Sequence, residues 1–551
     1  MYKKNVTRTF LSAFGIVCLC LTISMMMGCS GKAETNANGT VASETVAEKQ
    51  SDPKTEEKII TLAMVSSWDS IIPFDTTSAY SDVLLDLMFE KMFFLKANGT
   101  YTPRLAERYE MNSDSTILTF YLNKNAKWTD GVPLTAKDVV FTANLYASPS
   151  LNALRKNNLA PFVGFGEGDG TLKVIAVDDY TVEFYLKEPT NADYLLFNKF
   201  RDFYILPEHI LGQVPVAEIR SADYWKSPIG AGSCIYKSQI SGERVEFVAN
   251  KNYYLKTPQW DKFVVRVVPT GNLLAGLMNG EIDALAGNVA SLQLSDWSMA
   301  KQQSNLVCTS VPSLGYQYMA INYSKAYLTP EIHRIINMAI DRKLIVDGLL
   351  RGEGVVAFSP VAPDNIYYNK DVEEPYNPEK AKALLASSGW DPNRVLVMSV
   401  PTGNTIREQA AVIIQQNLAS IGIKAVIETA DFPTHLNRVR KGDYDLGFIG
   451  SGGSPDPSEC VINFNPDHMN NFSQLSDWTI YNAGEKGGHA FDYTERKQYY
   501  DEYQNLLREY VPFAFLYFQN NLFANTTNVH NIVDVQDYSQ MNRDVWNWTI
   551  D

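Results

Sequence analysis

An α/β fold with more than one lobe is predicted by three observations. Ile406, Ala410, Ile413, Ile414, Leu418 and Ile421 recur at helical spacing, Gly422 stops the run, and Lys424 to Glu428 continues as a strand. The same helix-to-strand step occurs earlier, where Leu273 to Met278 leads into Gly280-Glu281-Ile282-Asp283-Ala284. The third observation is size. A chain of 551 residues exceeds one ordinary domain and points to two to four, and 45% hydrophobic residues can fill large cores.

From the N-terminus, Lys3, Lys4 and Arg8 precede an uncharged stretch from Phe10 to Gly28, and Cys29 follows. This is the pattern of a secretory leader. Met26-Met27-Gly28-Cys29 is similar to a bacterial lipobox, so residues 1–28 read as a lipoprotein signal peptide and Cys29 as the lipidation site. The other reading is an uncleaved anchor, since crossing a bilayer takes about 20 apolar residues. Either way the chain is tethered outside the cytoplasm. Residues 29–57 hold almost no large apolar side chain and read as a flexible tether.

Ile59 to Val65 is a short apolar strand, and Trp68 to Tyr80 is a loop containing Pro73. Ser81 to Leu95 reads as helix and ends at the Asn98-Gly99 turn. Thr116 to Leu122 is β-branched and aromatic, hence a strand. Asp130-Gly131 makes a turn, and Thr135 with Asp138 three residues on suits a capped helix start. Tyr180 to Leu186 is a strand stopped by Pro189, and Phe263 to Val268 is a buried strand. A new block opens near Tyr316. Thr329 and Pro330 make an N-cap and first-turn pair, and Ile332, Ile335, Ile336, Ala339, Ile340 and Leu344 follow at helical spacing. Pro378 to Gly389 is a short helix. Lys441 to Ile449 ends in a strand, with the Gly-rich loop Gly450 to Ser454 behind it. Thr494 to Tyr510 is helical and Pro512 breaks it.

Composition excludes several functions. The formal charge is −14, and loss of the basic leader makes the remainder more acidic still. Nucleic-acid binding needs clustered Lys and Arg, and none occurs. The six histidines include no H-E-x-x-H, so a zinc protease is unsupported, and no cofactor or metal is expected. No G-x-S-x-G elbow occurs, and Gly450 to Ser454 lacks the Lys of a phosphate loop. The run Gly164 to Gly170 follows no strand and reads as a surface loop. Beyond the leader and Cys29 there remain Cys234, Cys308 and Cys460, which allow at most one internal disulfide and read best as buried thiols.

Several segments resemble one family. They are Leu105 to Asn112 (LAERYEMN), Lys124 to Leu145 (KNAKWTDGVPLTAKDVVFTANL), Ser227 to Tyr236 with Asn250-Lys251-Asn252-Tyr253-Tyr254, Gly280 to Asp283, Asp341-Arg342 and Pro378 to Gly389. Together they resemble the extracytoplasmic peptide-binding proteins of ABC importers, the oligopeptide, dipeptide and nickel group (solute-binding family 5). The likeness covers roughly residues 58 to 551; Tyr254 stands where the family has Trp. It implies a periplasmic-binding-protein-like two-lobe fold of type II, cluster C, with an inserted third domain. Mapped here, lobe one is 58–79, 206–322 and 513–551, the inserted domain is 80–205, and lobe two is 323–512. The chain then crosses near 320 and 512, which suits a hinge.

The resemblance also implies a site and a role. Crevice positions carried over are Thr77, Ser78, Tyr318, Thr402, Phe432, Arg440, Ser451, Gly452 and Tyr517. Peptide binders of the family carry an Asp that pairs with the peptide amine. Here that place falls on Gly453 or Ser454, and Asp456, two to three residues on, is the candidate substitute. The expected function is a lipid-anchored monomeric receptor, not an enzyme. It would deliver a peptide or similar polar solute to ABC permease subunits. The alternatives are a sensor or adhesion protein on the same fold, or a tethered hydrolase, which the missing nucleophile and metal motifs disfavour.

The leader generates one prediction. Cleavage between Gly28 and Cys29 with diacylation of Cys29 is expected, and Cys29→Ala should block maturation. Intact mass of the membrane-extracted protein checks it; a species still carrying Met1 to Gly28 contradicts it.

Overall fold

The computed structural model describes residues 57–532 and 541–551. The leader, Cys29 and most of the tether lie outside the described residues. The strands begin with β1 (Ile59–Met64), β2 (Phe93–Leu95), β3 (Tyr101–Pro103), β4 (Ala106–Met111), β5 (Ile117–Leu122), β6 (Val174–Asp178) and β7 (Thr181–Tyr185). They continue with β8 (Cys234–Ile240), β9 (Arg244–Ala249), β10 (Lys262–Val267), β11 (Ala284–Leu285), β12 (Leu306–Val311) and β13 (Tyr316–Ile321). After β14 (Gly354–Val356) come β15 (Val395–Pro401), β16 (Lys424–Ala430), β17 (Leu446–Ser451), β18 (Phe513–Gln519) and β19 (Asn521–Thr526).

These strands form two large mixed sheets. The first has the order β12-β19-β11-β1-β10-β9-β8, the second β14-β18-β13-β17-β15-β16. A smaller antiparallel sheet, β4-β5-β7-β6, lies between β1 and β8 in sequence and is the inserted unit. Its apolar alternation drives it: Leu118, Phe120 and Leu122 point inward along β5 while their neighbours are part-exposed. Phe184 meets Phe120 and Phe200 edge to face at 5.7 and 5.0 Å, the geometry ring quadrupoles prefer. The inserted sheet shares one continuous core with the first large sheet. The second large sheet buries both faces, one against the helix Thr405–Ile421 and the other against the helix Tyr493–Tyr510.

The capped start read at Thr135 is present. The helix Ala136–Ala147 begins there, and Thr135 donates its N–H to Asp138 Oδ2 at 2.8 Å. The other Asp138 oxygen accepts the N–H of Glu208 at 2.9 Å, tying the inserted unit to its exit segment. Cys234, Cys308 and Cys460 are free thiols, two of them buried.

Two expectations need correction. Ser81 to Leu95 is not one helix: the helix is Ala79–Met88, and Phe93–Leu95 pairs with Tyr101–Pro103 around the Asn98-Gly99 turn. Phe89 already has extended dihedrals, so three apolar residues at 93–95 serve a hairpin instead. The crossings also move. β13 and β18 pair inside the second sheet, and β12 and β19 pair inside the first. The chain therefore passes between sheets at residues 312–315 and at Asn520, not near 320 and 512. Pro512 ends a helix, but the strand after it still belongs to the second sheet.

Candidate functional site at the facing sheet edges

The register of the sheets fixes which edges meet. In the second sheet β15 runs parallel to β17, while β13 runs antiparallel to it with Tyr316 opposite Ser451. β13 thus starts, and β18 ends, at the edge where β15 and β17 finish. In the first sheet β1, β10 and β11 are parallel, and β19 is antiparallel to both β11 and β12. β12 ends and β19 begins at the carboxyl ends of β1, β10 and β11. Both passages therefore join carboxyl edge to carboxyl edge. Ligands of open α/β sheets bind in the crevice outside such edges.

Most residues expected in the crevice come to these edges. Thr77 and Ser78 follow β1; Thr77 is exposed and Ser78 begins the helix Ala79–Met88. Thr402 follows β15, exposed, with its N–H on the Ala430 carbonyl at 2.8 Å. Phe432 opens the helix Phe432–Arg440 after β16 and is 49% exposed. Ser451 closes β17, and Gly452 stands exposed behind it. Tyr517 lies near the end of β18, buried, with a hydroxyl that has no hydrogen-bond partner. Tyr318 is different. Its ring stacks on Phe513 at 4.2 Å and is 2% exposed, so it fills the core beneath the edge.

Arg440 is not brought to the crevice. It ends a helix that starts at the carboxyl edge and runs back along the sheet, about 13 Å away at 1.5 Å per residue. There it lines a surface hollow with Pro466, His468 and Trp478.

Asp456 is present but committed elsewhere. It is 1% exposed, and its Oδ2 accepts from Arg496 at 2.7 Å while Oδ1 accepts from Tyr500 at 3.0 Å and from the Ser458 N–H at 2.9 Å. Arg496 is fully buried, and its Nε donates to the Gly487 carbonyl at 3.0 Å. Burial, the largest single influence, would lower its pKa; the Asp456 charge and hydrogen bond together with Tyr500 and Tyr367 outweigh it and raise the pKa. The sequence expectation of a substitute acid is therefore corrected: Asp456 is buried and anchors its loop to the helix Tyr493–Tyr510, with both oxygens engaged. Sequence reasoning missed Arg496, because nothing local marks a partner forty residues downstream.

Gly453 cannot supply the acid either. Its φ is +67°, and a Cβ there would lie 1.8 Å from the carbonyl oxygen of Leu314 in the first passage. The loop is thus seated on the crossing backbone itself. Ser454 is buried, and its Oγ accepts the Asp456 N–H at 3.2 Å.

The inserted unit touches the second lobe beside this loop. Asn191, which caps the helix Ala192–Asn198, donates its Nδ2 to the carbonyls of Ala490 at 2.6 Å and Phe491 at 2.8 Å. Asp193 lies 3.7 Å from Arg496 Nη1, and Tyr194 stacks on His489 at 5.7 Å. These contacts tie the inserted unit to the second lobe through the segment His489–Arg496.

Comparison with known proteins agrees with this geometry. Residues 100–471 match the model of the bacterial extracellular solute-binding proteins, family 5. The chain is 29% identical over 437 residues to the oligopeptide-binding protein AppA of Bacillus subtilis, covering 74% of this chain and 76% of that one. In fold it is similar to the substrate-binding protein CtaP of Listeria monocytogenes, with a TM-score of 0.77 over 90% of this chain and all of that one, at 24% identity. It is also similar to the crystal structure of Bacillus subtilis AppA in complex with a nonapeptide, with a TM-score of 0.67 over 90% and 99% of the two chains, at 23% identity.

The seat of Gly453 yields a prediction. Gly453→Ala should cost at least about 1–3 kcal/mol for left-handed backbone alone, before any clash with Leu314. Gly452→Ala, whose added Cβ meets nothing within 4 Å, should stay within about 0.5 kcal/mol of the parent. Urea unfolding midpoints measure both; equal losses would contradict the seating.

Proposed function

Because the chain belongs to the bacterial extracellular solute-binding proteins of family 5, we propose that it captures a peptide or similar polar solute and hands it to an ABC transporter. The observation that carries this reading is the pair of sheets whose carboxyl edges face each other across two short passages. Such a crevice closes on a solute by rotation about the passages, and contacts made only in the closed form give the differential affinity that drives closure. In this reading the cleft binds and releases without chemistry, and Cys29 carries the lipid that holds a monomeric receptor at the outer face of the membrane.

The proposed solute contacts are Thr77, Ser78, Thr402, Phe432, Ser451 and Gly452. A free ammonium placed at Gly453 finds no carboxylate, since Asp456 is bonded to Arg496 and Tyr500. Desolvating an unpaired charge costs far more than desolvating a blocked end. One peptide, free and N-acetylated, titrated by calorimetry, decides this. The acetylated form should bind at least as well. A free amine binding more than about tenfold tighter, roughly 1.4 kcal/mol, would mean that another acid has taken the role.

A further inference from the structure

The apolar clusters divide the molecule. The inserted sheet and the first large sheet share one core, and among the described residues no member of that core also belongs to the clusters flanking the second sheet. The inserted unit therefore packs as one body with the first lobe. Its contact with the second lobe is of another kind. Asn191, the cap of the helix Ala192–Asn198, is 3% exposed, and its amide serves both sides of that contact. Oδ1 accepts the Tyr194 N–H at 3.0 Å and starts the helix. Nδ2 reaches across to the carbonyls of Ala490 at 2.6 Å and Phe491 at 2.8 Å. Beside it, Asp193 lies 3.7 Å from Arg496 Nη1, a buried donor with no hydrogen-bond partner among the described residues.

A second contact lies at the tip of the β2–β3 hairpin. The Ile366 N–H donates to the Asn98 carbonyl at 3.1 Å. A Cβ at Gly99 would come within 3.4 Å of both Asn365 Nδ2 and the Pro455 carbonyl oxygen, and that amide donates to that carbonyl at 2.8 Å. The tip is thus seated against the loop after β17. Topology sets both contacts apart from the passages. The passages leave the first sheet from β12 and β19 at one edge, whereas the inserted unit departs after β1 and the chain returns at β8, the opposite edge. Hydrogen bonds exchanged for water on separation change the free energy little per bond. Polar contacts between domains accordingly permit relative motion, whereas a continuous apolar core does not.

We propose that Asn191 and Asp193, with the Asn98-Gly99 tip, form a latch that holds part of the solute-free population shut and slows the release of bound solute. The proposal rests on the solute-binding reading above and deepens it. These side chains act on the rotation of the lobes and not on the solute, so they are positioning residues.

Asn191→Asp separates the latch from the helix it caps. Aspartate caps a helix as well as asparagine does, so the Tyr194 N–H keeps its acceptor, but a carboxylate oxygen then faces the two carbonyls that Nδ2 served. Small-angle scattering of the full protein, freed of solute by unfolding and refolding, should give a larger radius of gyration for Asn191→Asp than for the parent, with unchanged far-ultraviolet circular dichroism. Asp193→Asn, which removes only the charge facing Arg496, should give an intermediate radius. The N-acetylated peptide of the calorimetric titration should dissociate from Asn191→Asp at least about tenfold faster than from the parent. Equal radii for the parent and both variants, or equal dissociation rates, overturn the latch while the solute-binding reading stands. If the peptide binds neither protein, that reading fails, and the radii alone decide the latch.

Discussion

Two short stretches of backbone, residues 312–315 and Asn520, hold the whole assembly edge to edge, and the rest of the molecule follows from them. Each stretch leaves one sheet and enters the next almost at once, which keeps the two edges adjacent. Both stretches are tied into their surroundings. The Leu314 carbonyl is where a Cβ of Gly453 would fall. The Asn520 N–H bonds the Glu353 carbonyl at 3.1 Å, and its side chain donates to Ser310 Oγ at 2.9 Å. Strand polarity does the remainder: parallel strands on both sides end at the passages, so loop residues gather there from every connection.

The buried pair of Asp456 and Arg496 acts on this frame differently. Burying two charges is costly, and a pair of this kind adds little net stability over apolar residues of the same volume. Its value is positional. With both carboxylate oxygens bonded, the loop after β17 has one arrangement, and its backbone is presented to the crevice in place of a free acid. The neighbouring contacts of Asn191 and Asp193 join the inserted unit to the same region. They add polar contacts between the inserted unit and the second lobe to the covalent links made by the two passages.

Much of the fold was legible because local signals and tertiary demands coincide. The helix read from Thr405 to Ile421 is found with those bounds, and Gly422 takes φ 105° as the stop. Thr329 caps its helix through the Ile332 N–H. Where signals conflict, packing decides. The helix Thr479–His489 contains Gly484, Gly487 and Gly488, poor helix formers that hide it in sequence, although its buried residues Ile480, Ala483, Gly484, Gly487 and Gly488 fall at helical spacing. Those glycines are needed because a Cβ at 484 would strike Val461 at 2.4 Å and one at 487 would strike Tyr500 at 2.6 Å. The site divides the same way. Thr402, Ser451 and Gly452, which directly follow or close strands, lie at the carboxyl edge, whereas Arg440 is carried away from it by the return direction of its helix.

The central claim is that the two lobes turn about these passages to enclose a solute. Small-angle scattering of the protein, stripped of solute by unfolding and refolding and then reloaded with the material it released, tests this most directly. The account predicts a smaller radius of gyration in the loaded state. A radius unchanged at saturation would contradict it and would mean that the crevice binds as a rigid groove.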